Sequence, residues 1–143
     1  MNRTVSLFLF VVLISSCSED GVAPTILVDK HIRIEFYTDK DATDPRYENC
    51  EVQVYVGAMK MTYTPYVEEY FLDETTDWIA FKDLPDTDRR MVFEVVIPDV
   101  DAENQSVVIG YSYGTRLGAH TEFLGRSVHL QKGELSKTVV VVI

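Results

Sequence analysis

The sequence is poor in the residues that staple, catalyse or bind metals. Two cysteines, three histidines and one tryptophan occur among 143 residues. Once Cys17 is used at the N-terminus, as argued below, Cys50 has no partner. No internal disulfide can then form even in an oxidising compartment, and the fold must stand on its core. Cys50 opens an apolar alternation and reads as a small buried strand thiol. A nucleophilic cysteine needs a positioned base, and none of His31, His120 or His129 stands in a motif with it. The histidines are also too far apart for metal-ligand spacing. No catalytic residue, metal site or cofactor is therefore assigned.

Positive charge is scarce as well, with 13 Lys and Arg against 23 Asp and Glu and a formal net charge of −10. Nucleic acid demands a basic patch or stripe, so it is excluded as a partner. The acidic excess favours solubility and keeps the body off anionic headgroups. The 23 carboxylates offer many pairs for glycosidase chemistry, but nothing selects one, so a non-enzymatic protein is expected. A long hydrophobic run is also missing. Val5 to Ser15 is too short for a hydrocarbon core of about 30 Å, which takes roughly 20 helical residues.

What is present at the N-terminus is an address. Arg3, the short apolar run and Leu13-Ile14-Ser15-Ser16-Cys17 have the order of a secretory signal, which is set aside in reasoning about the fold. Ile14-Ser15-Ser16-Cys17 resembles the lipobox of bacterial lipoproteins. The resemblance implies cleavage after Ser16, acylation of Cys17 (palmitate included) and placement in the outer membrane. An ordinary signal peptide with a chance cysteine is the alternative. Ser18-Glu19-Asp20 resembles the export signal on surface lipoproteins of Bacteroidota, which implies outward exposure. Each buried CH₂ contributes about 0.8 kcal/mol, so two or three chains anchor permanently. The division is a signal peptide over 1–16, a lipidated tether over 17–25 and one domain over 26–143. A flexible tether of about eight residues spans roughly 16 Å, so the domain works close to its membrane.

From Ile26 onward, apolar residues recur with period two between turn residues, and no window of helical length carries an i, i+3, i+4, i+7 stripe. Ile32, Ile34 and Phe36 alternate with Arg33, Glu35 and Tyr37; Val52, Val54 and Val56 alternate with Glu51, Gln53 and Tyr55. Further strands are expected near 66–72, 77–81, 91–97, 106–113, 122–130 and 137–143. Asp39 to Asn49, Asp83 to Asp88 and Asp99 to Asn104 read as acidic connections. The fold class is all-β: an antiparallel sandwich of about seven to eight strands. Lys132-Gly133 predicts a tight hairpin joining 127–130 to 138–143, with glycine at positive φ. Val139 to Ile143 is apolar without alternation, so that strand is expected to be covered on both faces within the domain, the alternative being an outer face shielded on a partner.

Phe81-Lys82-Asp83-Leu84-Pro85 precedes a long apolar strand, and the expected glycine hairpin leads to a final valine strand. This order resembles the immunoglobulin-like or transthyretin-like domains of envelope lipoproteins. The chain lacks the paired cysteines and tryptophan spacing of antibody domains, so the resemblance implies architecture and not activity.

The candidate binding residues are Tyr66, Tyr70 and Trp78, from a group that includes Tyr63, Phe71 and Phe81 with Glu68, Glu69, Asp73, Glu74 and Asp77 between them. Aromatic faces stack on the C–H surface of a sugar ring while carboxylates accept its hydroxyls; core and rim packing is the alternative. Asp99 to Asn104 has alternating oxygen ligands, but Asn104 replaces the glycine and Gly110 the bidentate acid of a calcium loop, so it reads as a solvated turn. The expected role is a membrane-anchored binding or interaction module with an envelope protein or glycan as partner. The alternatives are a structural subunit that pairs by its strand edges, or a small glycan-active hydrolase. Replacing Cys17 by alanine should abolish palmitate incorporation in expressing cells, and label retained by the variant would remove the anchor.

Overall fold

The computed structural model describes residues 25–143. The expected signal peptide, Cys17 and nearly all of the tether lie outside the described residues. Eight strands follow in order: β1 (Leu27–Tyr37), β2 (Cys50–Tyr63), β3 (Tyr66–Thr75), β4 (Ile79–Ala80), β5 (Met91–Asp101), β6 (Gln105–Leu117), β7 (His120–His129) and β8 (Ser136–Val142). Single 3₁₀ turns at Pro45–Tyr47 and Phe81–Asp83 are the only helical pieces among the described residues. The all-β sandwich expected from the alternation is the fold found.

One sheet has three strands in the order β5-β1-β8. The other has five, in the order β3-β2-β6-β7 with β4 beside β2. β1 and β2 point alternate apolar residues inward, and β6 adds Val107 and Ile109. Ile32, Ile34 and Phe36 of β1 meet Val52, Val54 and Val56 of β2 and Val107 and Ile109 of β6 in one buried cluster. These β-branched and aromatic side chains suit a pleated, covered surface, and each fully buried one contributes about 1.5–3 kcal/mol. Phe36 meets Phe93 edge to face, with centroids 6.1 Å apart at 86°. The polar connection 39–49 closes one end of the core, because its 3₁₀ turn stacks Tyr47 on buried Phe81 at 4.2 Å. Asp44 caps that turn by accepting from the Arg46 N–H.

The C-terminal hairpin is a correction. β7 pairs with β6 in one sheet while β8 pairs with β1 in the other, so residues 130–135 cross between sheets. Among the described residues only Gly118, which turns the β6–β7 hairpin, and Asp99 have positive φ; Gly133 does not. The crossing is held where buried Leu130 donates its N–H to Val107 O and Glu134 donates to Gln131 O. Its physical cause is that β1 is an inner strand and needs a second partner. Val139 and Val141 stand beside Ile34 and Phe36 in register, so β8 fills that edge, and it does so parallel to β1.

A second correction concerns β8. Val139, Val141 and Ile143 are buried, but Val140 and Val142 are exposed, so one face of this strand stays uncovered. The strand expected over 77–81 shrinks to β4, because the chain turns at Phe81 to bury that ring. Asp99 to Asp101, expected in a turn, still belong to β5. Since Phe36 is fully buried where the sheets meet, Phe36→Ala should destabilise the protein by about 3–5 kcal/mol in urea denaturation. A loss under about 1 kcal/mol would contradict this core.

Candidate functional site

The two outer faces of the sandwich differ in chemistry. On the three-stranded sheet, Glu35 is buried under two guanidinium groups. Its Oε1 accepts from Arg33 Nε at 2.5 Å and its Oε2 from Arg90 at 2.6 Å, and Arg33 also reaches Glu94. Arg90 lies 4.8 Å over the Tyr37 ring. The hydrogen bond from Arg33, then that from Arg90, holds the Glu35 carboxyl below the usual carboxylate range. This face is knitted by ion pairs.

The five-stranded sheet presents rings over a floor of small residues. Gly57 stands opposite Gly110, which stands opposite Ser127; Gly114 stands opposite Phe123. A Cβ on Gly57 would come within 2.7 Å of the Tyr55 hydroxyl, and one on Gly114 within 2.5 Å of the Phe123 ring. The rings therefore lie down on the sheet where glycine leaves room. Above Gly110 the floor is open.

At one end of this face three exposed tyrosines gather. Tyr63 and Tyr66 pair across the β2–β3 hairpin, whose Thr64–Pro65 peptide is cis. Tyr63, Tyr66 and Tyr70 are 52, 61 and 56% exposed, so their rings are offered to solvent. Tyr63 Oη donates to Ser106 Oγ at 2.8 Å. Tyr66 Oη donates to Glu68 Oε1, and Tyr70 Oη to Glu68 Oε2 at 3.4 Å. The hydrogen bond to Glu68 raises the Tyr66 phenol above its ordinary value, so it remains a protonated donor at neutral pH. One carboxylate thus orients two rings, while half-buried Met59 and Met61 lie beside Tyr70 and Glu68. The arrangement can stack on an apolar ring face or flat surface and offers remaining acceptor positions on Glu68.

Trp78 does not join them. It precedes Ile79, which pairs with Val52, whereas Tyr70 pairs with Met59. Trp78 thus falls beside Gln53, six residues from Met59, and at about 3.3 Å per residue along β2 the two lie roughly 20 Å apart. Arg116 packs 4.4 Å over the Trp78 ring and is held by Glu51 at 2.5 and 2.8 Å, with Phe123 at 6.4 Å. Phe81 is core, and Phe71 packs against the core under Lys60. The aromatic group of the sequence divides into an exposed tyrosine cluster, a tryptophan–arginine pair and core rings. Tyr55 and Phe123 enter this face without having been singled out. Glycines inside strands, which mark close approach of a side chain, were the signal for both.

Cys50 is buried and burial pushes its thiol up, so at neutral pH it is a thiol and not a thiolate. His120 lines the same cleft of about 300 Å³, but its Nε2 meets Glu122 at 2.9 Å, and the thiol donates to the Glu51 carbonyl at 3.9 Å. At the end of the segment expected as a solvated turn, Asp101 Oδ1 accepts from the Glu103 N–H and Gln105 Oε1 from the Asp101 N–H. Among the described residues no three His, Cys, Asp or Glu side chains gather as a metal site.

Comparisons with family models, with curated proteins and with solved structures find no match to this chain.

The Glu35 pair predicts an acid limb of stability. Its folded pKa lies below the unfolded value, so its contribution is present at neutral pH and is lost as pH falls through the folded value. In urea denaturation across pH, wild type should exceed Glu35→Gln at pH 7, and the gap should close below about pH 4. A gap that is constant with pH would refute the assignment.

Proposed function

We propose that this protein is a lipid-anchored component of a bacterial outer membrane, a non-enzymatic module that holds a partner on the outer face of its five-stranded sheet. The observation that carries this reading is the tyrosine cluster around Glu68: three rings kept in solvent although each could have been replaced by polar side chains at no cost to the core. Shared hydrogen bonding to Glu68 pre-orients Tyr66 and Tyr70, which lowers the entropy lost on binding. The chemistry fits the C–H face of a sugar ring, with Glu68 accepting a hydroxyl, or the flat surface of an envelope protein. Tyr63 donates its N–H to Asn104 O, and Asp101 at the same end pairs with Leu27, so the cluster stands at the end where the chain leaves toward Cys17. A short tether keeps such a site near the membrane, where surface glycans and other anchored proteins are concentrated.

Removing both rings by Tyr66→Ala with Tyr70→Ala should lower retention on immobilised surface oligosaccharides by roughly tenfold per ring, or about 1.4 kcal/mol each, without a change in Tm. Trp78→Ala serves as the distant control and should leave retention unchanged. Equal retention by the folded double variant would remove this face as the binding site.

A further inference from the structure

The four strand edges of the sandwich are not alike. β3 carries Glu68, Glu69, Asp73 and Glu74 and has one extra residue opposite Ala58–Met59. β5 carries Pro98 and a bulge at Asp99, whose φ is 51°. Acidic side chains, proline and bulges are what keep an edge from pairing with another chain. β7 has neither proline nor bulge, and Glu122 is its one acidic residue. It pairs with β6 over its length without a register shift, contains no proline, and exposes Phe123 and Leu124 by 64 and 61% on its two faces. Beside it a cleft of about 240 Å³ opens toward β8, lined by Tyr111, Tyr113, Leu124, Arg126, Val140 and Val142.

We propose that β7 pairs with β7 of a second copy of this chain, antiparallel about a two-fold axis at Leu124. The Leu130 N–H donates to Val107 O, so even-numbered residues along this regular ladder turn their backbone groups to β6 and odd-numbered ones turn theirs outward. An axis at Leu124 sets Phe123 opposite Gly125 of the second copy and Thr121 opposite Ser127, so outward N–H and C=O groups meet their complements. The same axis sets Glu122 opposite Arg126 of the second copy, twice by symmetry. Moving the axis one residue to Phe123 would oppose Glu122 to Leu124, and moving it to Gly125 would oppose Glu122 to Val128. Charge complementarity therefore selects one register.

Neither charge is paired with a lysine, an arginine or another carboxylate within the described residues of its own chain. Among the described residues Arg126 is exposed and has no carboxylate at ion-pair distance, and Glu122 meets only the exposed His120. The two Leu124 side chains meet at the axis as a non-hydrogen-bonded pair, with Cα atoms about 4.5 Å apart, and cover the apolar mouth of the cleft beside Val140. The pairing joins the five-stranded sheets of two copies into one, an isologous interface. It sends the two Thr25 ends to opposite ends of the joined sheet, so on the lipoprotein reading both tethers reach one membrane when the dimer lies on a sheet face.

The test is disulfide trapping of the full chain in expressing cells. Under mild oxidation Leu124→Cys should give a dimer band on non-reducing gels that wild type, with Cys50 buried, does not give. Adding Arg126→Glu, which opposes like charges twice, should reduce that band at least fivefold, and adding Glu122→Arg to the pair should restore it. All three side chains are exposed, so the variants retain the core. Absence of the Leu124→Cys band, or a band indifferent to both charge reversals, overturns the proposal.

Discussion

The contact between Ile34 and Phe36 of one sheet and Val54, Val56 and Ile109 of the other is the constraint on which the rest depends. Cys50 is the sole cysteine among the described residues, so no cross-link supplements this burial. Because the buried residues sit at alternate positions, closing the core also commits the intervening residues to the outer faces. The ionic layer of Glu35 and the tyrosine cluster around Glu68 are both consequences of that commitment.

The outer faces then follow from local chemistry. On β1 the outward residues are charged, and Glu35 is covered by Arg33 and Arg90 until it is nearly as buried as the core. On β2, β6 and β7 the outward residues include Gly57, Gly110, Gly114 and Gly125, which weaken a strand interior unless something packs on them. Tyr55 and Phe123 fill two of these places, and Gly110 is left open. A face built this way has a floor of small residues with exposed rings at its margins.

The edges divide the molecule along a second direction. The β3 and β5 edges are guarded by acids, proline and bulges, whereas β7 and β8 carry neither proline nor a register shift. The core does not require this difference, since inward residues are the same type on both sides. It is a property of the outward and terminal positions, which the core leaves unconstrained.

Much of the architecture was legible because period two is a local property. Ile32-Ile34-Phe36 and Val52-Val54-Val56 declared both their strands and their buried faces, and the eight expected segments all contain strand. Pairing was not legible, because it is non-local. Gly133 suggested a hairpin from its neighbours alone, whereas the open edge of β1, about a hundred residues earlier, captured β8 into the other sheet. Val140 and Val142 looked buried for the same reason: a run of valines reads as covered until the far side of its sheet is known. Tyr66 and Tyr70 could be paired from their i, i+4 spacing along one strand, while Trp78 was separated from them by a turn that the sequence does not measure. The sequence by itself determined which residues face inward, through alternation. Only the tertiary structure decided which strands adjoin, and so which aromatics share a surface, because hydrogen-bonded pairing is selected by the whole set of competing edges.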